Sequence, residues 1–134
     1  MADGDQTGIA MFRDVSAWIG VRQTGDTKEI VMVNGLAMDA DWQTTSTGED
    51  IDTAPLDGTQ VWLRATADIA PGGSNAATFS FSTDGETFTD LGNTLTMNTD
   101  WTYFMGYRFG IFNFATGALG GSVTVNSFEI ALAN

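Results

Sequence analysis

At 134 residues, 43% apolar and 16% charged, the chain is long enough for one hydrophobic core and too short for two, so a single folded domain over residues 1–134 is expected. Five basic residues stand against seventeen acids, a net charge of -12; such a surface repels phosphate backbones and anionic lipid heads, which sets aside nucleic acid and membranes as partners. With no cysteine and no histidine, disulfides, thiolate nucleophiles, histidine bases and the usual transition-metal sites are excluded, leaving carboxylates, hydroxyls or a calcium ion for any chemistry.

No window approaches the roughly 18–20 apolar residues that span a bilayer. The opening Met1-Ala-Asp-Gly-Asp5 is acidic, unlike the basic start of a leader peptide, so a mature or trimmed soluble chain is expected. Short runs rich in Val, Ile, Phe, Trp and Thr alternate with Gly, Asp and Asn clusters, the pattern of strands and turns. The runs predict strands near 6–13, 16–23, 28–33, 60–69, 76–82, 86–89, 94–98, 104–113 and 122–132. Sixteen glycines and two prolines suit a turn-rich β protein whose strand interiors keep their N–H donors.

Several strands have two distinct faces. In 61–69, Val61, Leu63, Ala65, Ala67 and Ile69 point one way, while Trp62, Arg64, Thr66 and Asp68 point the other. Ala77, Phe79 and Phe81 likewise oppose Thr78, Ser80 and Ser82. Strands covered on one face only favour two stacked antiparallel sheets over a parallel sheet wrapped by helices. The polar stretch from Gly35 to Gln60 has little periodicity and reads as a long exposed loop. Asp84-Gly85, between two strand-like runs, predicts a hairpin turn. In the last run, Val123 and Val125 share one parity and Phe128, Ile130 and Leu132 the other, which a β-bulge near Asn126-Ser127 would reconcile. Phe104, Phe109, Ile111, Phe112 and Phe128 are assigned to the core.

The succession Thr7-Gly-Ile-Ala10, Trp18-Ile-Gly-Val21, Val61-Trp-Leu-Arg64, Ala77-Thr-Phe-Ser-Phe-Ser82 with Asp84-Gly85 and Phe88, Leu91-Gly92, Trp101, Phe104-Met-Gly-Tyr-Arg-Phe-Gly-Ile-Phe112, Gly120-Gly121 and Phe128 resembles the C-terminal module of family 43 glycoside hydrolases. Those enzymes are β-xylosidases and α-L-arabinofuranosidases, and the resemblance covers nearly the whole chain in consistent order. It implies an all-β, two-sheet, concanavalin-like sandwich of the jelly-roll type. It also implies a non-catalytic module of a secreted enzyme, attached to a five-bladed catalytic propeller and acting on xylan or arabinoxylan. The family's module has further strands before the one that matches Thr7 to Arg13. Either this chain is trimmed or this version is small; a trimmed sandwich leaves strand edges that pair with a second copy or a missing partner, so a homodimer is carried as a hypothesis.

Two groups of side chains suggest a site. Trp18 alternates with Arg22, and Trp62 with Arg64; if their strands are neighbours, the four form one aromatic and cationic patch. Sugars offer C–H faces to rings and hydroxyls to planar polar groups, so Trp18, Arg22, Trp62, Arg64, Tyr107 and Arg108 are candidate carbohydrate contacts, with Trp42, Trp101 and Tyr103 as further aromatics. The alternative roles are core tryptophans and intersheet ion pairs to acids such as Asp68 or Glu129. Asp39, Asp41, Glu49, Asp50 and Asp52 cluster as oxygen ligands suited to a structural calcium, with a solvated acidic loop as the alternative. No carboxylate sits in an apolar strand face, so a hydrolase pair is not indicated and no catalytic residue is assigned. The expected function is a carbohydrate-binding accessory module. Its alternatives are a module that docks on and completes a catalytic propeller without holding sugar, a small free-standing lectin, or an enzyme in its own right.

Overall fold

A computed structural model describes residues 1–101 and 104–132. Among them nine strands form two antiparallel sheets, and there is no α-helix. The larger sheet holds β1 (Asp5–Phe12), β2 (Val15–Thr24), β3 (Thr27–Met38), β4 (Thr44–Pro55) and β9 (Arg108–Ala115), in the order β4-β3-β2-β1-β9. The smaller holds β5 (Trp62–Ala67) and β6 (Ala76–Ser82), with the two-residue strands β7 (Thr89–Asp90) and β8 (Leu95–Thr96) on opposite ends of β6. The expected all-β two-sheet sandwich is therefore the observed architecture.

The core lies between the sheets and follows the period of two. Ala17, Ile19 and Val21 of β2, Ile30 and Met32 of β3 and Met11 of β1 meet Ala77 and Phe79 of β6, closed by Leu56, Leu91, Leu95 and Met97. Val61, Leu63, Ala65, Ala67 and Phe81 pack against this cluster as their alternation predicts. Ile69 does not: it falls beyond the end of β5 and is exposed. Midway along the larger sheet β1 and β2 approach at Gly8 and Gly20, which are paired. A Cβ on Gly8 would stand 2.2 Å from Ile19 O, and one on Gly20 2.1 Å from Thr7 O, so only glycine fits at both.

The sequence-based strand map needs four corrections, one of them that the run expected at 86–89 is a strand only at Thr89–Asp90. The expected loop over 35–60 contains β4, and β3 runs on to Met38. As an edge strand largely open to water on both faces, β4 is built from Thr, Ser, Glu and Asp and lacks the apolar alternation that marks a half-buried strand. No strand is formed over 122–132, so the bulge expected near Asn126-Ser127 has no ladder to interrupt. The run expected at 104–113 begins only at Arg108.

The core assignment also changes at the end of the chain. Contacts between the sheets run from β5 and β6 to β1 and β2, so β9 lies past the rim of the smaller sheet. Phe109 and Ile111 consequently remain 36% and 49% exposed, and Phe104 and Phe128 are exposed as well. Phe112 turns to the opposite face of the larger sheet.

Below the sandwich, Arg13 is buried and ties down the chain after β8. Its guanidinium donates to Asn98 O at 3.0 Å and to Asp100 O, and lies 6.0 Å from the centre of the Tyr107 ring. Tyr107 donates its hydroxyl to Val15 O at 2.7 Å and accepts from Asn98 N at 3.2 Å; burial pushes its pKa up. At the other end, the Asp84 carboxylate accepts from the N–H groups of Thr87 and Glu86, both at 2.8 Å, and from the Ser82 hydroxyl at 2.7 Å. The expected hairpin turn is a longer loop, 83–88, wound around this carboxylate, with Gly85 at φ +80. The same bonds, that from Thr87 first, lower the pKa of Asp84 from 3.8 to about 2.

Phe79, 2% exposed at the centre of the core, should cost about 3–5 kcal/mol when replaced by alanine, read as a fall in denaturation midpoint. Because Asp84 titrates lower in the folded chain than at its ordinary value of 3.8, its bonds stabilise the fold above that value, and the contribution fades as pH falls toward 2. Asp84→Asn should therefore flatten the fall of melting temperature over this acid range, and an unchanged slope would remove Asp84 as its source.

Candidate functional site

The face of the larger sheet that points away from the smaller one is not a plain polar surface. Across the strands, Phe112, Gly8, Gly20, Val31 and Thr53 stand in one row. The row on one side reads Phe114, Gln6, Arg22, Glu29 and Pro55; on the other it reads Gly110, Ala10, Trp18, Val33 and Asp50. Beyond that, Arg108 sits beside Phe12. Period-two alternation places all of these side chains on one surface.

This surface has an apolar floor and a polar corner. Trp18, Val31 and Val33 are buried, with Ala10, Leu36 and Phe112 packed on them. Trp18 meets Phe112 edge to face at 5.1 Å. Phe112 in turn lies 5.9 Å from Phe114, with the rings tilted by 31°. Trp18 is only 7% exposed and supports the others, whereas Phe114 and Phe12 are 47% and 46% exposed. From the Phe114 row to Phe12 the strand advances six residues, about 20 Å at ~3.3 Å per residue. The aromatic side chains thus form a ribbon long enough for several sugar rings.

In the corner, Arg22 donates through Nε to Glu29 at 2.9 Å and through NH2 to Asp50 at 2.7 Å. The bond to Asp50, ahead of that to Glu29, holds the Arg22 guanidinium above its ordinary pKa. It is an always-charged fork flanked by two carboxylates, all partly open to water. Such a group donates to and accepts from hydroxyls, and its two carboxylates outweigh the single guanidinium charge.

The six candidate contacts divide three ways. Trp18, Arg22 and Arg108 share the face just described. Trp62 and Arg64 belong to the other sheet, so the expected four-membered patch is not formed: the two strand pairs are not neighbours. The loop 83–88 lies against Trp62, with a Cβ at Gly85 only 2.9 Å from the indole, and Arg64 stacks on Phe88 at 3.4 Å from the ring centre. Tyr107 is a peg between Val15 and Asn98. Of the further aromatics, Trp42 lies in the β3–β4 turn and Trp101 after β8, while Tyr103 falls outside the described residues. Phe12, Phe112, Phe114, Glu29 and Asp50 were not singled out as contacts. The parity of β9, in which Phe112 and Phe114 oppose Phe109 and Ile111, carries the signal that separates ribbon from inner face.

The acids proposed for calcium are dispersed. Asp39 accepts from the N–H groups of Asp41 and Gln43 in its own turn, and Asp50 binds Arg22. Among the described residues no three carboxylates converge on a common point suited to a metal ion.

Comparison with known proteins agrees with this architecture. Residues 1–131 match the family described as the β-xylosidase C-terminal concanavalin A-like domain. One similar solved structure is a GH43 glycoside hydrolase engineered to display both endo-xylanase and exo-arabinofuranosidase activity, 44% identical with a TM-score of 0.85. The alignment covers 90% of this chain and 25% of that one. A second is a bifunctional GH43-CE protein from Bacteroides eggerthii, 34% identical with a TM-score of 0.77, covering 90% of this chain and 14% of that one. The chain thus spans a quarter or less of the length of these relatives, and no curated protein matches it. By its two-sheet architecture and a match over nearly its whole length, the chain belongs to the family of C-terminal concanavalin A-like domains of β-xylosidases.

Proposed function

We propose that this chain is a non-catalytic, carbohydrate-binding accessory module of a secreted xylan- or arabinoxylan-degrading enzyme. In this reading a hemicellulose chain lies along the outer face of the larger sheet. The observation that carries it is the ribbon of Phe12, Trp18, Phe112 and Phe114 beside the Arg22–Glu29–Asp50 corner. Pentose and hexose rings stack on the exposed phenyls, and their hydroxyls exchange bonds with the corner and with Gln6, Thr53 and Arg108. A neutral polysaccharide is compatible with a net charge of -12, which would repel an anionic ligand.

The second reading, docking on a catalytic unit without sugar binding, has its own support. Trp101 and Phe104 are strongly exposed and stacked edge to face at 5.4 Å, on a segment anchored by Arg13. An exposed aromatic pair is the form of an interface anchor.

Calorimetric titration with xylan and arabinoxylan oligosaccharides separates the two. The binding reading expects saturable heat, with Phe114→Ala and Arg22→Ala each weakening affinity roughly tenfold, and Trp62→Ala leaving it unchanged. Absence of binding to either oligosaccharide, together with loss of docking in Trp101→Ala, would replace the sugar reading by the docking one.

A further inference from the structure

Asn34 is the one asparagine of the chain that is followed by glycine. It also stands at a break in the ladder. Trp18 pairs with Val33 and Ser16 with Leu36, so Asn34 and Gly35 together oppose Ala17 in a β-bulge. Gly35 has no register partner in β2 or in β4. Its φ is +81, and nothing lies within 4 Å of where a Cβ would project, so the backbone here is open as well as left-handed.

Hydrogen bonds bring two reactive groups of this pair together. The Gly35 N–H donates to Asn34 Oδ1 at 2.7 Å, and Cγ, one bond from Oδ1, is held close to the same nitrogen. The Asn34 Nδ2 donates to Asn93 Oδ1 at 2.8 Å and to Thr94 O at 3.2 Å, which keeps the side chain in this orientation. Groups held side by side in this way react as though at very high concentration. Gly35 is exposed, so water and hydroxide reach it.

The same Nδ2 bonds join the two layers. Asn34 belongs to β3 of the larger sheet, whereas Asn93 and Thr94 connect β7 to β8 in the smaller one. Leu91 and Leu95, on either side of that connection, are buried and close the core, and between them Gly92 lies against Met32.

We infer that Asn34–Gly35 is a self-modification site whose reaction severs this tie. Hydroxide takes the proton from Gly35 N, and the nitrogen attacks Asn34 Cγ. The tetrahedral adduct expels Nδ2, which takes a proton from water and leaves as ammonia, and a five-membered succinimide closes. Water then adds to either imide carbonyl and breaks its C–N bond, giving aspartate or isoaspartate at position 34. A carboxylate has no N–H to donate. It faces two acceptors, Asn93 Oδ1 and Thr94 O, so attraction is replaced by repulsion, and isoaspartate also adds a methylene to the backbone of β3. The segment 91–97 is thereby released from the larger sheet.

Folded protein kept in mildly alkaline buffer, then digested and analysed by mass spectrometry, tests the site. Aspartate and isoaspartate should appear at position 34 roughly tenfold sooner than at Asn93, Asn98 or Asn113, whose following residues carry side chains. The folded chain should convert at least as fast as the chain unfolded in urea, because the fold holds the reacting atoms together. Slower conversion when folded, or no preference for position 34, would overturn the assignment. The amides of Leu91 and Met97 donate to Phe79 O at 3.0 Å and to Asn75 O at 2.7 Å. In aged protein and in Asn34→Asp these amides should exchange with deuterium roughly tenfold faster, while those of β1 and β2 stay unchanged. Equal exchange in the fresh, aged and substituted proteins would contradict release of the segment.

Discussion

The whole arrangement depends on one sheet having two different apolar faces. On its inner side Ala17, Ile19, Ile30 and Met32 are sealed by Phe79 of the smaller sheet, and that burial is the main driving force for folding. Strict alternation then forces the intervening residues outward, and in β2 and β3 those residues are Trp18, Val31 and Val33. An ordinary sandwich would place polar groups there. Here the outward set is apolar, and it is shielded by aromatic rings and by an ion-paired arginine instead of by a third layer.

That constraint explains the local details. Gly8 and Gly20 are needed where β1 and β2 approach, because a Cβ on either would strike the backbone of the other strand. The Arg22 fork joins β2 to Glu29 on β3 and Asp50 on β4. Each surface ion pair contributes little alone, on the order of 0–1 kcal/mol, but the trio fixes the orientation of groups that can meet hydroxyls. The smaller sheet is narrower than the larger one, which leaves the inner side of β9 partly uncovered.

Much of this was legible in the sequence, where alternation was strong. The faces of β5 and β6 followed directly from Val61 to Ala67 and Ala77 to Phe81, and the two-layer architecture followed from them. β4 was not legible because an exposed edge strand has no apolar face to write into its sequence. The patch expected to join Trp62 and Arg64 to Trp18 and Arg22 is not formed, because alternation assigns a face within a strand but not which strands are neighbours. Tyr107 and Arg13 were opaque for another reason: their partners, Val15 O, Asn98 O and Asp100 O, are backbone atoms, and no side-chain pattern announces them.

The claim that this outward apolar face is the ligand surface has a direct test in resonance mapping of the isotope-labelled chain during titration with a xylan oligosaccharide. Shift changes confined to the Gly8–Gly20 row, Arg22, Phe112 and Phe114, with β5 and β6 silent, are the result this account requires. Changes centred on Trp62 and Arg64 instead would move the ligand to the other sheet and contradict it.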